Sequence, residues 1–203
     1  MTKIQGIVCP LVTPFDEGEA LNIPALRDQV RRMVEAGLHG VFAFGTNGEG
    51  YALEEDEKER ALEAVLAEAK GRIAVYAGTG CATTLATVRQ SLRAKAMGAD
   101  VLSVVTPYFA KASQEELYQH YLEIATRVDM PIVLYNIPAR SGNALAPATV
   151  GRLAGIPAIA GAKDSSGDFD NILQYIESTR GWDFAVLSGN DSLILWTLMA
   201  GGA

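Results

Sequence analysis

The chain has 203 residues, 49% hydrophobic and 20% charged, an ordinary globular composition that excludes disorder and collagen-like structure. Its net charge of −7 argues against nucleic acid or an anionic membrane surface as a partner. Two cysteines, Cys9 and Cys81, make no disulfide framework and no CxxC motif, which points to a reducing, cytoplasmic setting.

The opening MTKIQGIVCP lacks a charged start followed by a long apolar run, so no signal peptide is expected. GIVCPLV, from Gly6, predicts the first strand and ends at Thr13. Leu26, Val30, Met33 and Val34 then share one helical face, with Gly37 placed to cap it. GVFAFG from Gly40 is the second strand and runs into GTNGE at Gly45–Glu49. Glu54 to Lys70 is a charged, Ala-rich helix with Leu62, Val65 and Leu66 as its apolar stripe. IAVYAG from Ile73 and VLSVV from Val101 are the third and fourth strands, separated by a helix over Thr84–Met97. A helix over Glu115–Val128 precedes PIVLYNI from Pro131, and AIAGAK from Ala158 follows. A helix over Phe169–Ser178 leads to FAVLSG from Phe184. The apolar stretch Leu193–Ala203 is too short for a membrane span, which needs about 20 residues.

Strand starts recur roughly every 30 residues, the length of one strand–helix unit. Near-continuous apolar strands alternating with helices predict a parallel α/β sheet covered on both faces. An open doubly wound sheet and a (β/α)8 TIM barrel both satisfy this pattern. No GxGxxG follows the first strand, which weakens the dinucleotide-binding version. Polar, glycine-rich residues end nearly every strand, as a barrel's active face requires. Seven strands are one short of a barrel, and an unclosed barrel exposes two sheet edges. The expectation is therefore one barrel domain over residues 1–203 that stops before strand 8 and belongs to a longer protein. Alone, such a piece is expected to aggregate.

Lys163 is the most informative residue. It follows the small-residue run AIAGA, so its stem belongs at a strand end in the core. Desolvation favours the free amine of a lysine so placed, and free amines form Schiff bases with carbonyl compounds. The plain alternative is an ion pair with neighbouring Asp164. Tyr135 ends the preceding strand, and a phenol beside a reactive amine can move the protons that imine formation needs. The Gly45–Glu49 turn can aim backbone N–H groups at a carboxylate, with Thr46 adding a hydroxyl; it is otherwise a plain strand–helix turn. Arg140 can hold a second carboxylate with a bidentate fork or simply sit on the surface. Tyr108 and Phe109 are site wall or core. His39 and His120 lack matching Cys or carboxylate spacing and are read as structural, so no metal site is expected.

GTNGE after strand two, TPY after strand four, YNIPARSG after strand five and GAKDSS after strand six occur in that order. The chain thereby resembles the dihydrodipicolinate synthase / N-acetylneuraminate lyase family of class I pyruvate-dependent aldolases, from Gly6 to its end. The resemblance implies a (β/α)8 barrel with further C-terminal helices, assembled as a homotetramer of tight dimers or as a homodimer. It implies that Lys163 carries the Schiff base, and that Tyr135 relays protons with its hydroxyl bonded to Thr46. Thr46, Asn47 and Gly48 would hold the pyruvyl carboxylate, and Arg140 the carboxylate of a second substrate. Gly189 and Asn190 would lie beside the distal end of the substrate, with Tyr108 in the wall. No metal or organic cofactor is implied, because the lysine does the polarising.

Two departures from the family pattern bear on the reaction. The synthase branch has Thr-Thr and the lyase branch Ser-Thr where this chain has Thr46-Asn47. The synthase branch also has a second tyrosine, reaching across the dimer to complete the proton relay, where this chain has Phe109. The relay then lacks one member unless Tyr108 substitutes. The resulting expectation is a Schiff-base lyase that condenses pyruvate with an aldehyde, or cleaves or dehydrates a 2-oxo acid such as a 2-keto-3-deoxy sugar acid. The alternatives are the family's lysine-biosynthetic synthase activity and a non-catalytic barrel that binds 2-oxo acids.

Overall fold

The computed structural model describes residues 3–203; Met1 and Thr2, which open the stretch read as carrying no signal peptide, lie outside them. Seven strands form one parallel sheet in chain order. They are β1 (Val8–Pro10), β2 (Gly40–Ala43), β3 (Ala74–Gly78), β4 (Val101–Val105), β5 (Ile132–Asn136), β6 (Ile159–Asp164) and β7 (Ala185–Ser188). The connecting helices are α1 (Ile23–Glu35), α2 (Glu55–Ala69), α3 (Thr84–Met97), α4 (Gln114–Val128), α5 (Pro138–Ser141), α6 (Pro147–Ala154), α7 (Phe169–Ser178) and α8 (Ile194–Met199).

Local chemistry explains the helix ends. Thr83 accepts a hydrogen bond from the Ala86 N–H, and Ser113 and Glu116 close a reciprocal capping box on α4. Gly98, at φ +100°, ends α3 in the left-handed region that glycine tolerates. Pro10 is tolerated in β1 because that strand is a sheet edge among the described residues; the next N–H, of Leu11, still donates to the Phe42 carbonyl (2.9 Å). Helices α5 and α6 and the 3-10 turn Asp191–Leu193 were not expected. Each is too short to show an amphipathic period; α5 and α6 instead carry a proline in the first turn.

Strand alternation sends neighbouring residues to opposite faces. Val41, Val75, Leu102, Leu134 and Ile159 pack outward against the helices, where Val30, Val65, Leu117 and Ile172 are buried. Phe42, Tyr76, Val101, Val133 and Tyr135 point the other way and form a second apolar cluster. The sheet curls around that inner cluster, because residues of distant strands meet there. The Lys163 Nζ on β6 is 5.1 Å from the centre of the Phe42 ring on β2. The result is a half-barrel with β1 and β7 as its two edges among the described residues. A cavity of about 1050 Å³ opens between those edges, and one of about 630 Å³ lies over the ends of β2–β4. No described helix is long and apolar enough to cross a membrane.

Candidate active site

Strands β5 and β6 pair in parallel with Tyr135 opposite Lys163 and Asn136 opposite Asp164. The pleat turns Tyr135 and Lys163 to the inner face and Asn136 and Asp164 to the outer one. Asp164 is fully taken up there. Its carboxylate accepts from Asn136 Nδ2 (3.1 Å), Ser166 N (2.8 Å), Ser166 Oγ (2.9 Å) and Asn171 Nδ2 (2.7 Å). The ion-pair alternative for Lys163 therefore fails: Asp164 bonds elsewhere, and Lys163 makes no salt bridge among the described residues.

The Lys163 amine instead lies 4.1 Å from the centre of the Tyr135 ring. Phe42 closes the other side, with its ring edge-on to Tyr135 at 6.1 Å between centroids. Gly189 leaves room for Ser165 and for the lysine. Its N–H donates to the Asp164 carbonyl (2.7 Å), and a Cβ at this position would run first into Ser165 Oγ and would stand 2.9 Å from Lys163 Cε. Gly189 is thus placed against the lysine stem, closer in than the distal position expected of it.

The Tyr135 hydroxyl is 3.3 Å from Thr46 Oγ1, joining the end of β5 to the turn after β2. That turn is bonded internally: the N–H groups of Gly48, Glu49 and Gly50 donate to Gly45, Thr46 and Gly45 carbonyls. Thr13 Oγ1 donates to the Gly48 carbonyl at 2.6 Å and pins the turn to β1. The N–H groups of Thr46 and Asn47 make no such bond among the described residues. Unbonded backbone N–H groups of this kind can take an anion. Gly48 contributes shape rather than its N–H, since a Cβ there would meet the Leu11 carbonyl at 2.8 Å.

Thr46, Asn47, Tyr135 and Arg140 border both cavities, and Lys163 and Asn190 border the larger one. Arg140 closes α5 and is exposed, with no ion pair among the described residues. Tyr108 borders the smaller cavity beside Cys81, and burial holds its phenol above the ordinary value. Phe109 is fully exposed at φ +79°. His39 accepts from the Ile7 N–H, and His120 bonds Thr84 Oγ1 at 2.8 Å, both structural uses. No group of three metal-ligating side chains occurs among the described residues. Sequence reasoning missed Phe42 and Ser103, inward residues within otherwise apolar strands; alternation against Tyr135 was the available signal.

A family model described as the dihydrodipicolinate synthetase family matches residues 3–203. A 4-hydroxy-tetrahydrodipicolinate synthase from Methylococcus capsulatus is 42% identical over 199 residues, covering 98% of this chain and 68% of the relative. One from Methanopyrus kandleri is 42% identical over 202 residues, covering 98% and 67%. The crystal structure of a chloride-inhibited dihydrodipicolinate synthase from Acinetobacter baumannii complexed with pyruvate superposes with TM-score 0.95 at 36% identity, covering 98% of this chain and 68% of that one. The dihydrodipicolinate synthase from Thermotoga maritima gives TM-score 0.95 at 36% identity, covering 100% and 69%.

Proposed function

The chain belongs to the dihydrodipicolinate synthetase family, and on that premise we propose that it condenses pyruvate with aspartate semialdehyde through a Schiff base on Lys163. Curated relatives at 42% identity bear the 4-hydroxy-tetrahydrodipicolinate synthase name, which favours this reaction over sugar-acid cleavage. Taking pyruvate from the carbon skeleton of that product leaves aspartate semialdehyde. The observation that carries the reading is the Lys163 amine over the Tyr135 ring, with the phenol bonded to Thr46.

The chemistry runs as follows. The pyruvyl carboxylate rests on the Thr46 and Asn47 N–H groups, in the turn shaped by Gly48. The Lys163 amine adds to C2, and its proton passes to the C2 oxygen. Tyr135 gives that hydroxyl a proton, water leaves, and the nitrogen lone pair makes the iminium. The Tyr135 phenolate then takes a C3 proton, the enamine C3 attacks the aldehyde carbon, and the C=O pair moves to oxygen, which takes the proton from Tyr135 to become the hydroxyl. The amino group of the second substrate displaces Lys163 from the iminium carbon and closes the ring. One water is lost overall. Arg140 takes the second substrate's carboxylate, with Tyr108 and Asn190 in the wall. The lysine iminium is the electron sink, so the cycle draws on no metal or organic cofactor.

A second reading, cleavage of a 2-oxo acid such as a 2-keto-3-deoxy sugar acid, is favoured by Phe109, which has no hydroxyl to offer a relay. Both share the Schiff base. Borohydride added with pyruvate is expected to leave a reduced pyruvyl adduct on Lys163 by peptide mass. Condensation with aspartate semialdehyde, compared with pyruvate release from sugar acids, then separates the two. No adduct on a folded protein would sink both.

A further inference from the structure

Asn143 lies just past the end of α5 and is 4% exposed. Both of its amide protons and its oxygen are in use. Nδ2 donates to the Pro107 carbonyl (2.7 Å) and to the Ala110 carbonyl (2.8 Å), and Oδ1 accepts from the Ala112 N–H (2.9 Å). Tyr108 and Phe109 are the two residues between the bonded carbonyls. The Asn143 backbone carbonyl lies 3.1 Å from Thr106 Oγ1, which is also 2.7 Å from Ser141 Oγ. One buried amide therefore joins the segment after β4 to α5, whose last two residues are Arg140 and Ser141.

The side chain suits the task. A primary amide offers two donors and an acceptor at once; a carboxylate of the same length would face two carbonyls, and an aliphatic chain would leave all three backbone groups without this partner. The segment needs such a clasp, because residues 107–112 form neither strand nor helix. Arg140 likewise sits in a one-turn helix and makes no ion pair among the described residues. Tyr108 and Arg140 both border the smaller cavity, with Tyr135. The lysine side of the site is held by other means: strand register sets Tyr135 against Lys163, and Thr13 pins the Thr46 turn. The two sides thus have separate supports.

Resting on the condensation reading above, we propose that Asn143 is the positioning residue of the second-substrate side. It fixes Tyr108 and Arg140 relative to one another and so sets the affinity for the aldehyde substrate, without touching that substrate itself. The guanidinium of Arg140 meets a carboxylate in a bidentate fork only when its helix is held at one distance from the facing wall, and Asn143 holds both. Formation of the pyruvyl imine on Lys163 does not draw on this junction.

Steady-state kinetics and borohydride trapping in the wild type, Asn143→Ala and Ser141→Ala test this. Asn143→Ala is expected to raise the KM for aspartate semialdehyde about tenfold, the size of one weakened hydrogen bond to a charged group. Its KM for pyruvate and its rate of adduct formation should stay within about twofold of the wild type, because the lysine side keeps its own supports. Ser141→Ala removes one hydroxyl of the junction and leaves the three Asn143 side-chain bonds. It should move the same constant in the same direction by less, and it carries the test if Asn143→Ala does not fold. In an Arg140→Ala background, Asn143→Ala should add at most about twofold, since both act on one contact. An unchanged KM for aspartate semialdehyde in the variants, or an equal loss in trapping and in condensation, would overturn the role of Asn143 and leave the condensation standing. A wild type that traps pyruvate without condensing aspartate semialdehyde would overturn the second substrate and this role together.

Discussion

Tyr135 and Lys163 stand directly opposite each other on adjacent parallel strands, with the amine 4.1 Å from the ring centre. Register alone achieves this. Two strand ends aligned in parallel put their last inward side chains side by side, and the pleat removes Asp164 to the other face. The amine thus faces an aromatic ring and a cavity instead of a carboxylate.

Lys163→Met keeps the side-chain length and removes the charge. Because Lys163 makes no ion pair among the described residues, the loss is limited to the amine's contact with the Tyr135 and Phe42 rings, against which Met packs an apolar chain. The expected outcome is a Tm at or above the wild type with complete loss of the borohydride-trapped pyruvyl adduct. A Tm several degrees lower would show that the amine has a structural partner.

Tyr135→Phe keeps the ring that packs on Phe42 and carries the amine, and deletes the hydroxyl bonded to Thr46. The stability cost is one partly buried hydrogen bond, about 1 kcal/mol. Losing a proton relay lowers turnover by about 10²–10⁴-fold. Pyruvate KM should move little if, as proposed, the carboxylate rests on the Thr46 and Asn47 N–H groups and not on the phenol. Turnover within a few-fold of wild type would remove Tyr135 from the proton path.

Gly189→Ala tests the space reserved for the lysine. A Cβ at this position would overlap Ser165 Oγ and stand 2.9 Å from Lys163 Cε, so Ser165 must turn away and the lysine or β7 must yield as well. Overpacking of this kind costs about 1–3 kcal/mol. Displacement of the amine should also slow adduct formation by more than the stability loss explains. Chemical denaturation together with time-resolved trapping checks both, and an unchanged trapping rate would show that the stem yields freely.

How much of this site is visible in the sequence follows from where its residues sit. Lys163, Tyr135, Thr46 and Arg140 follow apolar runs, and polar residues at the ends of parallel strands stand out against them. Ser103 stands inside VLSVV and reads as part of a core strand; only the register with Val133 and Gly78 turns it toward the site. Asn143 was equally hidden. It ties the chain after β4 in place by donating to the Pro107 and Ala110 carbonyls (2.7 and 2.8 Å), contacts between segments far apart in the chain. The seven strands were legible because a buried parallel strand is a continuous apolar run. The short helices α5 and α6 were not, because four to eight residues carry no usable period.

Asp164→Ala is expected to be the most damaging single change near the site, although the residue faces away from the cavity. It is 1% exposed, and its carboxylate gathers donors from Asn136, Ser166 and Asn171. Removing it strands buried donors on β5 and α7 at a cost of about 3 kcal/mol or more. Asp164→Asn keeps the acceptor oxygen but turns one Asn–carboxylate contact into a donor–donor clash, so it should fall between the two. Urea denaturation of both variants orders them, and wild-type stability in Asp164→Ala would show that the donors repack.

His120 makes the fold sensitive to acid. Burial on α4 pushes its imidazole down from 6.5 to about 4. The ring is held neutral, with Nδ1 bonded to Thr84 Oγ1 and Nε2 buried without a partner. In the unfolded chain the same histidine protonates near its ordinary value. Between pH 6.5 and about 4 the unfolded state therefore binds more protons than the folded one, and stability falls as pH is lowered through that window. The shift corresponds to about 3 kcal/mol lost across it. Above pH 6.5 both states are neutral at this site and the contribution is level. His120→Gln, which keeps a polar contact to Thr84 and cannot titrate, should give a flatter stability curve between pH 6.5 and 4 while being somewhat less stable at pH 8. Equal acid slopes for the variant and the wild type would assign the acid sensitivity to carboxylates instead.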